Sequence, residues 1–160
     1  MRRELPDARW VRPESLHLTL KFLGQAPTRV VDDLCVDLEA ALAGCASSEV
    51  ELGGSGLFPS LARPRVGWIG GLADGVVGIA ERVERIAVAR GFPPERRDWA
   101  PHLTVARLRK PWSRSAVDQF LAWGDALRVE VFSCREVVLF ASDLAPSGAV
   151  YTAVERFPLG

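Results

Sequence analysis

Leu16-His17-Leu18-Thr19-Leu20-Lys21-Phe22-Leu23 alternates apolar and polar side chains without a break. A period of two is the signature of a β-strand with one packed face and one polar face. Leu16, Leu18, Leu20 and Phe22 fall on the first face, and His17, Thr19 and Lys21 on the second. Gly24 and Pro27 end the run. The pattern returns 85 residues later as His102-Leu103-Thr104-Val105. A proline turn and an N-cap hydroxyl follow each copy: Pro27 and Thr28 after the first, Pro111 and Ser113 after the second.

Working outward, Val30, Val31, Leu34, Leu38 and Leu42 form the apolar stripe of a helix over residues 28–44. Val50-Glu51-Leu52 reads as a short strand, and Gly53, Gly54 and Gly56 as a bend leading into Phe58-Pro59. Residues 65–72 read as a strand. A second helix spans residues 76–90, with Val76, Ile79, Ala80, Val83, Ile86 and Ala87 inward and Gly91 as its stop. After the second His-Leu-Thr copy come a helix over 114–123, a strand at 129–131, and strands at 136–141 and 150–157. Pro146-Ser147-Gly148 turns between the last two. The sequence therefore carries a diverged internal repeat of polar-faced strand, helix, strand, bend, strand. The expected class is α+β, with two copies facing each other across a pseudo-two-fold axis. The 160 residues suit a single domain, 1–160, of two intimately packed lobes.

Composition narrows the function. Hydrophobic residues make up 48% and charged residues 25%, as in an ordinary globular protein, so disorder is excluded as the main state. No stretch approaches the ~20 apolar residues of a membrane span. Arg2 and Arg3 have no apolar run behind them, so no signal peptide and a cytoplasmic location are expected. The formal net charge is zero, which argues against a bulk electrostatic grip on long nucleic acid. Lys21 and Lys110 are the only lysines among 20 cations, so the basic side is almost all arginine, the side chain that forks onto phosphate. Cys35, Cys45 and Cys134 cannot all pair and are expected to be reduced and structural. Two histidines without a cysteine cluster do not make a zinc site, and no metal or cofactor is expected.

Both histidines open a His-Leu-Thr-aliphatic tetrapeptide, and the chain has four threonines. Random placement would give that coincidence on the order of one time in a thousand. Residues i and i+2 of a strand share a face, so each motif offers an imidazole and a hydroxyl to one space. Two such strands about a two-fold axis place two imidazoles around one point. One neutral and one protonated imidazole can serve as general base and general acid on a phosphodiester. The Thr19 and Thr104 hydroxyls can donate to its non-bridging oxygens.

The chain resembles the 2H phosphoesterase superfamily, and within it the RNA 2′,3′-cyclic phosphodiesterases, historically called 2′-5′ RNA ligases. The matching stretches are Trp10-Val11-Arg12-Pro13-Glu14 into residues 17–24, Gly56-Leu57-Phe58-Pro59, Pro64-Arg65-Val66-Gly67-Trp68, and residues 101–107. Ser142, Gly148 and Tyr151 fit as well. The resemblance implies a two-lobed fold with a cleft between the lobes, and hydrolysis of a terminal 2′,3′-cyclic phosphate to a 2′-phosphomonoester. It implies His17 as proton donor and His102 as base; spacing alone leaves those roles interchangeable. RNA ends or small cyclic nucleotides are the implied partners, with no obligate protein partner. One departure stands out. Relatives begin with a further strand and helix, and nine residues precede Trp10 here, so an open sheet edge or apolar face is expected.

Further substrate-binding candidates are Lys21, by its strand parity, Arg12, on the approach to the first motif, and Phe58, as a base-stacking ring. Arg107 alternates with Leu103 and Val105, so it reaches the polar face only if a bulge turns it. Two other readings compete: a different cyclic-phosphate or 2′-5′ linkage chemistry, such as ADP-ribose 1″,2″-cyclic phosphate, and a nucleotide-binding module without turnover.

Overall fold

The computed structural model describes Leu5, residues 8–145 and residues 148–160. The chain forms two compact units, and each draws on three separated segments. The first comprises residues 1–19, 50–73 and 100–132, and the second residues 20–49, 74–99 and 133–160. The divide falls between Thr19 and Leu20, inside the alternating stretch. That stretch is extended but carries a single ladder bridge, Leu18 to Leu103, in place of the expected long strand. Leu20 packs in the core of the second unit, while Leu16 is 39% and Phe22 73% exposed. The alternation is real, yet one apolar face cannot serve two cores.

The scaffold of the first unit is made of strands β1 (Ala8–Trp10), β3 (Val66–Leu72), β4 (Leu103–Leu108) and most of β2 (Ser48–Phe58); the sheet order is β1-β4-β3-β2-β5, with β5 at Phe132–Cys134. The β1-β4, β4-β3 and β3-β2 pairings are antiparallel. The glycine-rich segment is no bend but the middle of β2. Leu52 pairs with Gly71 and Ser55 with Ile69, so β2 takes one extra residue, with Gly54 at φ +69° supplying the turn of backbone. The bulge changes parity and keeps Leu52, Ser55 and Leu57 on one face. The expected strand at 129–131 forms instead at Phe132–Cys134.

Between β4 and β5 runs a helix, Arg114–Ala126, as its sequence predicts. The Ser113 hydroxyl caps it by accepting from the Ala116 N–H at 3.3 Å. Its Phe120 lies 3.2 Å from where a Cβ on Gly67 would stand, and its Gly124 leaves room for Ser55. Ile69, Leu57, Ala106, Leu108, Trp112 and Val117 are buried on this covered side. The opposite face of the sheet carries the motifs.

In the second unit, α1 (Thr28–Leu42) and α2 (Asp74–Ala89) pack together. The helix after β4 is accordingly α3. Pro27, not Thr28, is the N-cap of α1, and no side chain caps it. Leu34, Leu38 and Leu42 of α1 meet Ile79, Val83 and Ala87 of α2 in a core closed by Phe92, Phe157 and Leu159. Gly91, at φ +90°, ends α2 while the Phe92 N–H bonds the Ala87 carbonyl at 3.0 Å. The hairpin β6 (Glu136–Ala145) and β7 (Gly148–Pro158) completes the unit. Its expected Pro146-Ser147 turn lies outside the described residues, as do Arg2 and Arg3. Cys35, Cys45 and Cys134 are free. Burial raises the Cys35 and Cys134 thiols, with Glu155 and Asp32 adding to the effect at Cys35. No helix among the described residues is long and apolar enough to cross a membrane.

Candidate active site

The first motif follows β1 along the edge of β4. Val11 N–H bonds the Val105 carbonyl at 2.9 Å, a 3₁₀ turn over Pro13–Ser15 interrupts the ladder, and Leu18 re-joins it opposite Leu103. Antiparallel register then sets His17 opposite Thr104 and Thr19 opposite His102. The Leu18–Leu103 bridge is thus a local two-fold axis, and each histidine faces the other motif's threonine. Leu103 also pairs with Ile69, whose side chain is 2% exposed, so the leucines point into the core. His17, Thr19, His102 and Thr104 take the opposite face and are half-buried.

Both imidazoles are held the same way. His17 Nδ1 lies 2.9 Å from the Ser15 carbonyl, and His102 Nδ1 lies 3.0 Å from the Ala100 carbonyl. A carbonyl only accepts, so each Nδ1 carries the proton of its bond. The neutral ring then has its lone pair on Nε2, and the protonated ring has its second N–H there. Each acceptor is the carbonyl two positions before its histidine, so the device repeats with the motif.

The floor beside these residues is aromatic. Trp68 pairs with Thr104 on one side and Gly56 on the other. A Cβ on Gly56 would run into the Trp68 ring, so the indole lies across the glycine. The Trp68 Nε1 is buried and finds no hydrogen-bond partner among the described residues. Phe58 packs on Trp68 at 5.2 Å between ring centres and meets the His102 ring edge-on at 5.5 Å. Phe58 is 39% exposed. It therefore rests on the aromatic floor and leaves part of its ring exposed.

The bulge needed to turn Arg107 is present. Trp68 pairs with Thr104 and Gly67 with Ala106, which leaves Val105 as the extra residue of β4. Val66, two residues from Trp68 on the same face, pairs with Arg107. Arg107 accordingly shares the face of Thr104. Arg9, on β1, is its direct partner on the other side. Sequence reading does not single out Arg9 or Trp68 as site residues; strand pairing, which brings them here, leaves no local signal. Arg12 caps the 3₁₀ turn with its backbone carbonyl and its side chain is exposed.

Lys21 has a different setting from the one its strand parity suggests. Its side chain is 1% exposed, and Nζ lies 2.7 Å from Glu84 Oε2 and 2.9 Å from the Pro93 carbonyl. Glu84 also accepts from the Glu95 N–H at 2.8 Å. The Lys21 bond, foremost, and the Glu95 N–H hold the Glu84 carboxyl below its ordinary range against the opposing effect of burial. These groups clamp the Pro93–Arg97 loop of the second unit, which with Phe22 lines a cavity of about 520 Å³. Among the described residues no group of three or more His, Cys, Asp or Glu is placed to hold a metal ion.

A family model described as LigT like Phosphoesterase matches residues 1–68 and 70–151. The RNA 2′,3′-cyclic phosphodiesterase of Methanothermobacter thermautotrophicus is 36% identical over 159 residues, covering 96% of this chain and 83% of that protein. The protein of the same name from Thermus thermophilus is 36% identical over 157 residues, covering 93% and 74%. Among solved structures, TT0787 of Thermus thermophilus superposes with a TM-score of 0.77 at 30% identity, over 98% of this chain and 85% of that one. Escherichia coli LigT complexed with 3′-AMP shares the fold, with a TM-score of 0.71 at 24% identity over 95% and 81%. Fold and matches together define the class, a phosphoesterase of the 2H superfamily. Within it, the chain belongs to the LigT-like phosphoesterase family.

Proposed function

We propose that this protein opens the 2′,3′-cyclic phosphate at an RNA 3′ end to a 2′-phosphomonoester, with its two histidines moving the protons. The observation that carries the reading is the matched pair of Nδ1–carbonyl bonds, which leaves Nε2 of each ring as the nitrogen whose protonation can change. Neutral His102 accepts a proton from water at Nε2 as that oxygen attacks phosphorus. The bond to O3′ breaks in line, and protonated His17 gives its Nε2 proton to the leaving oxygen. Exchange with solvent then resets both rings. Thr19 and Thr104 donate to the non-bridging oxygens as charge builds on them. Phe58 stacks against the terminal base. The named activity of the relatives supports the substrate class.

The scheme draws on no metal. A nucleoside 2′,3′-cyclic phosphate incubated with the protein in excess EDTA should give 2′-phosphate, followed by phosphorus NMR. Accumulation of the 3′-phosphate instead would reverse the leaving group. Loss of turnover in EDTA with recovery on adding a divalent ion would sink the two-histidine scheme.

A further inference from the structure

The Lys21 side chain is buried to a degree that lysine reaches only when paired. Its partners are Glu84 Oε2 and the Pro93 carbonyl. Replacing both members of a buried ion pair with uncharged side chains of similar volume commonly leaves a fold as stable as before. Stability alone therefore does not account for this pair. Its other effect is to fix the course of one extended segment and one loop, and these are the segments that lead out of the first motif and into the second.

Lys21 stands two residues past Thr19, and the Pro93–Arg97 loop runs on through Ala100 to His102. Pro93 and Pro94 have no N–H, so this part of the loop cannot be held by its own amides. The hold comes from outside: Lys21 Nζ donates to the Pro93 carbonyl, and Glu84 receives both Lys21 and the Glu95 N–H. Five residues beyond Glu95, the Ala100 carbonyl accepts from His102 Nδ1. The acceptor that orients His17 is supported differently. The Ser15 carbonyl belongs to the 3₁₀ turn, which is closed by its own bonds, Ser15 N–H to the Arg12 carbonyl at 2.9 Å and Leu16 N–H to the Pro13 carbonyl at 3.1 Å. The two rings are thus oriented alike, but one acceptor sits in a self-sufficient turn and the other at the end of a loop that a buried ammonium pins.

We infer that Lys21 is a positioning residue for His102: by bracing the Pro93–Glu95 segment it fixes the approach to Ala100, and with it the carbonyl that holds the His102 ring. Its effect on turnover rests on the proposed two-histidine reading, whereas its effect on the ring does not.

The test uses the double variant Lys21→Met/Glu84→Gln. It removes both charges together, so no ion is stranded, and it keeps an acceptor for the Glu95 N–H. The melting temperature should hold near the wild-type value. With a nucleoside 2′,3′-cyclic phosphate as substrate, kcat should fall about 10- to 100-fold while KM changes little, the pattern of a misplaced catalytic group. The second readout needs no substrate. Ring-nitrogen NMR shifts report which nitrogen of each neutral imidazole carries the proton. Wild-type His17 and His102 should both be protonated at Nδ1. In the double variant His102 should lose that preference and His17 should keep it. Arg82→Gln, which removes a cation bonded to the Ala41 carbonyl in the same unit, is the control and should change neither readout. Early melting of the double variant, an unchanged kcat, or the same change at both rings would each overturn the inference. If the wild type does not turn over the substrate, the two-histidine reading falls by itself. The positioning role is then judged on the imidazoles alone, and the same His102 tautomer in wild type and double variant overturns it.

Discussion

At the scale of the residue, the site is a repeated tetrapeptide whose parts divide cleanly. His and Thr look out, the leucine between them looks in, and an i–2 carbonyl fixes each ring. That division predicts separable effects. His17→Ala and His102→Ala should each lower kcat by about 10²- to 10⁴-fold, the usual worth of a proton-transfer group. The double variant should lose far less than the product of the two, since both serve one transition state. Thr19→Val and Thr104→Val should cost less, through one hydrogen bond each. None should lower the melting temperature much, because these side chains are only half-buried. Early melting of the histidine variants would mark the rings as structural and end the assignment. The motif, its facing and the hydroxyl partners are all legible in the sequence, because they depend on parity within four residues. Arg9 is not, because its partner is 98 positions away and only the ladder joins them.

At the scale of the element, two sequence readings turn on bulges. The Gly53–Gly56 region reads as a bend and is a bulged strand, and Arg107 reaches the polar face only through the extra residue at Val105. A bulge adds a residue to one strand, and nothing in local composition fixes where its partner skips. Helices fare better, since α2 and α3 depend on periodicity and caps that lie in their own sequence. The β2 bulge bears on the site through Gly56. A Cβ there would collide with the Trp68 ring, which supports Phe58, which abuts His102. Gly56→Ala should therefore displace the indole, lower the melting temperature and reduce kcat together, although residue 56 is remote from both histidines in sequence. Gly53→Ala, with nothing within 4 Å of its added Cβ, is the matched control and should change little. Activity and near-UV circular dichroism on both variants decide it. If Gly56→Ala kept wild-type values in both, the aromatic floor would not position His102.

At the scale of the whole molecule, the chain weaves between two units, so the sequence repeat and the structural units do not coincide. Both His-Leu-Thr motifs belong to one unit, whereas α1 and α3, which follow them, belong to different ones. Each crossing must be secured by contacts distant in sequence, and in the second unit acidic groups supply several. Asp37 of α1 receives Arg90, just past α2, through Nε and Nη2, and Glu84 of α2 holds Lys21 and the Glu95 N–H. The Arg90 hydrogen bond holds the Asp37 carboxyl below its ordinary value of 3.8, and the Lys21 bond holds Glu84 below 4.5. A carboxylate with a depressed folded-state pKa contributes stability that is complete above its unfolded value and is lost as pH falls through the folded one. The melting temperature should therefore be level above about pH 5 and fall steadily as the medium is taken below about 4.5. Glu84→Gln should lower stability at neutral pH, where an ion is replaced beside the buried Lys21 ammonium, and flatten the acid limb. Asp37→Asn should flatten the limb at lower pH with a smaller neutral cost, because its pair with Arg90 is exposed to solvent. Melting temperature against pH, measured for wild type and both variants, separates these outcomes. Parallel curves for all three would show that other carboxylates govern the acid transition.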